Sequence, residues 1–128
     1  MKDKIQLLQF FICKNFQQEK QDCYTAGMLH TNLYVSKFPH RLGRLYAITC
    51  WRKDARFHKE VIEYVTGEGK NVRSPHMDVE PVSGSVLFRW HKHPFPAGLI
   101  IEKPTTLTVR IILDGKIQFE SCLLIEKA

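Results

Sequence analysis

The stretch TLTVRIILDGKIQF, residues 106–119, constrains the fold more than any other part of the chain. Leu107, Val109 and Ile111 alternate with Thr106, Thr108 and Arg110. A period of two makes one apolar face only on an extended strand. Ile117 and Phe119, and further on Leu123 and Ile125, alternate in the same way, and Asp114-Gly115 between the runs signals a hairpin. A two-residue loop would pair Ile111 with Gln118, against the apolar pattern that sets register where one face is buried. The sequence therefore predicts a three-residue loop, Leu113-Asp114-Gly115, with Ile111 opposite Ile117 and Val109 opposite Phe119. Gly115 takes the left-handed position. Arg110 then faces Gln118 and lies diagonal to Glu120.

The rest of the chain repeats this organisation. Short apolar runs are separated by polar turns at fairly regular spacing, and helical periodicity is sustained nowhere. Strands are predicted over residues 5–13, 24–36, 45–51, 58–66 and 82–91, with an edge segment over 72–80 because Pro75 is excluded from a central strand. Residues 15–22 and 37–44 read as loops. A short helix over 55–64 is the rival to the strand at 58–66. Residues 45–51 are apolar on both faces, so a covered central strand is expected there. Alternation in residues 82–91 turns Val86, Phe88 and Trp90 inward, and His91 and His93 outward. The chain as a whole, residues 1–128, is expected to be a single-domain, all-β antiparallel β-sandwich of about seven to eight strands, immunoglobulin-like or C2-like.

Composition narrows the function classes. The 128 residues are 44% hydrophobic and 25% charged, as in an ordinary globular domain. No run is long enough for a membrane-spanning helix, and the apolar start lacks a signal-peptide cleavage site. A cytoplasmic location without membrane attachment is expected. None of the four cysteines forms a CxxC pair. Cys13, Cys50 and Cys122 are expected in the core, and Cys23 on the surface. The net charge of +6 allows an acidic partner.

Three pieces of the chain carry a resemblance. FFICKNFQQEK is an apolar opening strand with a cysteine near its end. SKFPHRLGRLYAITCW is an FP-centred loop entering a central strand. FRWHKHPFP is followed, after a short gap, by TLTVRIILDGKIQFESCLLIE. In this order they resemble a family of small bacterial β-sandwich proteins of unknown function. The resemblance implies the sandwich and brings no catalytic or binding residues. GLIIEKPTTLTV departs from the compact Gly-aromatic approach expected before the closing hairpin.

The chemistry-bearing residues concentrate in RWHKHPFP, residues 89–96. His91 and His93 stand at i, i+2, so a strand points both imidazoles the same way and can offer them to one metal. His76, two residues before Asp78, is the candidate third ligand if residues 72–80 and 82–93 pair. Outward histidines at a basic strand end are ordinarily solvated, so no metal is assigned and no cofactor is expected. Basic residues gather at Arg41 and Arg44, within residues 52–59, and at Arg89 and Lys92, with Trp51, Phe57 and Trp90 among them. That arrangement raises nucleic-acid binding as an alternative. No P-loop, HExxH, GxSxG or paired-carboxylate motif is present, so no catalytic residue is assigned and a non-enzymatic module is expected. Its partner is an unknown protein or a second copy. Phe95, Arg52, Arg56 and Lys92 are the candidate contacts. Phe95, held between two prolines, either plugs one end of the sandwich or meets the partner.

Overall fold

A computed structural model of the chain describes residues 4–21, 23–67 and 69–128. The described residues form strands and no helix. In one sheet, β1 (Gln6–Lys20) pairs with β2 (Cys23–Leu29) and with β5 (Tyr46–Arg52), and β5 pairs with β9 (Phe88–Pro94). All three pairings are antiparallel, giving the order β2-β1-β5-β9. The larger sheet is mixed. β3 (Asn32–Val35) runs parallel to β12 (Lys116–Lys127), which pairs antiparallel with β11 (Thr105–Leu113). β11 pairs with β6 (His58–Val65), whose far edge carries first β7 (Asn71–Arg73) and then β8 (Met77–Val79). β4 (His40–Arg41) and β10 (Ile100–Ile101) form a separate pair. None of these sheets closes into a barrel.

Both large sheets contribute to one core. Ile12, Ala47 and Trp51 come from the four-stranded sheet; Ile62, Tyr64, Leu107, Val109, Ile111, Leu123 and Ile125 come from the mixed one. Removing each large aliphatic chain from water stabilises by about 1.5–3 kcal/mol, so the alternation of β11 and β12 drives the sheets together. Leu42, Phe95, Leu99 and Ile101 extend this core beyond the sheets. β5 is buried on both faces, as its sequence predicts.

Several local expectations are corrected. β1 runs through residues read as a loop, because Phe16 packs on the outer face of the sheet beside Tyr24. Residues 24–36 are two strands in different sheets, so neither Met28, Asn32 and Tyr34 nor Leu29, Leu33 and Val35 form a single inner face. Residues 82–87 hold only a bridge between Ser83 and Val86, and β9 begins at Phe88. The edge segment is divided at Ser74-Pro75. There the Ser74 hydroxyl accepts the Ile62 N–H at 3.0 Å, beside a proline that has none to give. Cys122 is exposed, because on β12 it points away from the core between Ser121 and Leu123, which pair with the buried Val109 and Leu107.

The closing hairpin keeps its apolar faces by a different device. Its loop is two residues: Asp114 and Gly115 have φ of 51° and 81°, as a type I′ turn requires. Leu113 pairs with Lys116 and Ile112 with Ile117, and then Gln118 is left over, so that Ile111 meets Phe119. This bulge resolves the register conflict that had favoured a longer loop. Arg110 lies directly opposite Glu120, and its Nε donates to the carboxylate at 2.6 Å.

Candidate functional site

Glu60 is the second inward residue of β6, on the same side of the strand as Ile62 and Tyr64. Its side chain is fully buried, and four donors from the opposite sheet surround it. Oε1 accepts from Thr49 Oγ1 at 3.0 Å, His91 Nδ1 at 2.5 Å and His93 Nε2 at 2.8 Å. Oε2 accepts from Trp51 Nε1 at 2.8 Å. Register explains the convergence: Thr49 pairs with His91, so residues 49, 51, 91 and 93 all project from one face of β5 and β9. Burial pushes the Glu60 pKa up, but the hydrogen bonds and charge of the two histidines outweigh it and bring it down to about 2. His91 Nε2 meets the Asp78 carbonyl oxygen of β8 at 3.0 Å. Both ring nitrogens of His91 therefore face an acceptor oxygen. Tyr64 Oη and His93 Nδ1 are buried without partners among the described residues. Burial and the Glu60 charge raise the Tyr64 pKa.

A second network starts two residues earlier on β6. His58 Nδ1 donates to Asp114 Oδ2 at 2.6 Å and Nε2 to Asp54 Oδ1 at 2.8 Å. Asp54 also accepts the backbone N–H groups of Ile5 and Arg56, and Asp114 that of Lys59. Burial lowers the His58 pKa, and the hydrogen bonds from its two aspartates reverse this and raise it. The cluster ties the start of the chain, the β5–β6 connection and the closing turn together.

The two outer faces of the molecule differ sharply. Across the mixed sheet, Arg73, Glu63, Arg110 and Glu120 form a continuous row of ion pairs. Across the four-stranded sheet lies an aromatic layer instead. Phe16 stacks on Tyr24 with centroids 5.3 Å apart, and Trp90 meets both rings at 5.6 and 5.1 Å. Tyr24 and Trp90 form the wall shared by two depressions, one reaching Phe11 and Leu29, the other Val86, Leu87 and Phe88. Lys92 Nζ sits 4.4 Å from the Tyr46 ring centroid.

The structure thus reverses the faces expected of β9. His91 and His93 turn inward and Trp90 joins the outer aromatic layer. Phe88 and Trp90 share a face, but it is the outer one, where Trp90 packs beside Phe16 and Tyr24 of the same sheet. Glu60 stands where a third ligand was sought, while His76 is exposed and pairs with Asp78 at 3.6 Å. Glu60 was overlooked although its signal exists: it is the charged residue in the inward series Glu60, Ile62, Tyr64. Phe95 is buried, 4.8 Å from the Tyr64 ring, and its N–H donates to the Leu45 carbonyl. Arg52 pairs in register with Phe88, on the side of the sheet that carries Trp90 and Lys92. Arg56 is exposed in the β5–β6 connection. Of the aromatics read beside the basic residues, Trp51 is buried and Phe57 exposed. Among the described residues no helix is long and apolar enough to cross a membrane.

Fold and site together define an all-β protein with a carboxylate–imidazole centre buried between two sheets. No family model matches the chain, and neither a curated protein nor a solved structure matches it.

Proposed function

We propose that this chain is a non-enzymatic interaction module that binds an acidic, aromatic-rich protein segment through the outer face of its four-stranded sheet. In this reading it is a β-sandwich of immunoglobulin-like or C2-like appearance, one of the small bacterial, cytoplasmic proteins that its motifs resemble. The observation that carries the reading is the aromatic layer of Tyr24 and Trp90, uncovered by any further layer of the described residues and continued by Val86 and Phe88, each more than half exposed. Contiguous apolar surface of this kind marks contact sites, and aromatic residues with arginine are what interfaces enrich. The outward positions of β5 and β9 add Arg52 and Lys92 and no carboxylate, which suits an acidic partner. Solvent exclusion from Glu60 and His93, both fully buried, supports a non-enzymatic role for this carboxylate–imidazole centre.

Site-specific photocrosslinking tests this. A photoreactive phenylalanine analogue at Tyr24 or Phe88 is expected to give a discrete protein adduct, abolished by Lys92→Glu. The same probe at Thr106, exposed on the ion-paired sheet, is expected to give none. Equal adducts from all three positions, no adduct from any, or indifference to Lys92→Glu would overturn the proposal.

A further inference from the structure

We propose that Glu60, His91 and His93 form a binding site for one divalent first-row transition ion, with zinc the best match to two imidazoles and a carboxylate. Their ligating atoms, one from each residue, all lie within 4.8 Å of one another. Mixed nitrogen and oxygen donors of this kind are characteristic zinc ligands.

His91 is the decisive ligand. Its Nε2 is engaged by the Asp78 carbonyl, which leaves Nδ1 of the neutral ring as a lone pair aimed at Glu60 Oε1, 2.5 Å away. A lone pair and a carboxylate oxygen repel unless a cation lies between them. In the hydrogen-bonded form that cation is a proton; a metal ion is the alternative. The surroundings are those that orient metal ligands. A backbone carbonyl holds the distal nitrogen of His91, Thr49 and Trp51 hold the two oxygens of Glu60, and packing holds all of them.

Around an ion with bonds of about 2.0–2.1 Å, tetrahedral ligand atoms stand about 3.3 Å apart. The present separations of 2.5 and 2.8 Å belong to the protonated form. Binding requires each ligand to retreat by less than about an ångström, with loss of the protons that bridge them. The way in is beside β8, a three-residue edge strand, over His91, the least buried of the three.

The test uses the full chain, tag-free and stripped with chelator, carrying Cys23→Ser and Cys122→Ser to remove the exposed thiols. Expected is one zinc or cobalt per chain retained through gel filtration, a raised melting temperature, and cobalt visible absorption of a nitrogen–oxygen site. Glu60→Gln, which keeps the shape of the side chain, is expected to lose the ion, Thr49→Val to weaken it about tenfold, and His76→Ala to leave it unchanged. X-ray absorption on the zinc-loaded protein, expected to show two imidazoles and no sulfur, keeps the proposal testable even if Glu60→Gln fails to fold. Absence of stoichiometric uptake, a spectrum without two imidazoles, retained binding in folded Glu60→Gln, or loss in His76→Ala overturns it.

Discussion

Two histidine–carboxylate networks hang on β6, two residues apart, and they are built in opposite senses. At the buried centre one carboxylate, Glu60, is ringed by two imidazoles, a hydroxyl and an indole. At the end of the strand one imidazole, His58, is clamped between two carboxylates. In the first both oxygens of a fully buried carboxylate meet donors, as a dry interior demands. In the second one negative charge is left over, and it is tolerated because the Asp114 side chain is 48% exposed. The same residue types therefore make a permanent polar core in one place and a solvent-tuned fastening in the other.

The largest expected effect tests the first half of that contrast. Glu60→Ala in metal-free protein removes the shared acceptor of Thr49, Trp51, His91 and His93 in the core and should cost about 3–5 kcal/mol in denaturant unfolding. Replacing all three residues by apolar ones, Glu60→Met with His91→Leu and His93→Leu, should recover most of the loss. A single-mutant loss near zero would erase the contrast. Next comes the seat of Asp114. Gly115→Val forces a β-branched residue to a φ of 81° and should cost about 1–2 kcal/mol, seen as a lowered melting temperature.

The smallest effect concerns His58 itself. His58→Gln should cost about 1 kcal/mol, discounted for the exposure of Asp114. Its signature is pH dependence. The raised His58 pKa gives stability that is complete below the unfolded value and lost as pH climbs through the folded one. The lowered Asp54 and Asp114 pKa values give stability complete above the unfolded value and lost as pH falls through the folded ones. The wild-type advantage should therefore be greatest between about pH 4 and pH 6.5. A difference independent of pH would make the clamp a packing feature.

How far the sequence could be read depended on how many layers covered each strand. The inward alternation of Leu107, Val109 and Ile111 is legible because their outer neighbours are polar. β9 misleads because its outer face is aromatic and its inner face carries the polar residues, so the outer residues look like core and the histidines look like surface. The hairpin misleads differently: a bulge at Gln118 restores the apolar register that a two-residue turn seemed to break. The break between β2 and β3 was visible only as an ambiguous parity.

The sequence by itself determined the all-β class, the covered central strand, the position of the closing turn and the pairing of His91 with His93 on one side of a strand. Those are local consequences of a period of two and of a glycine able to take positive φ. Only the tertiary structure decided which side faces the core, and that Glu60, 31 residues before His91, is what the histidines meet. A polar residue's cost of burial depends on partners brought from another sheet, and those partners carry no signature in its own stretch of chain.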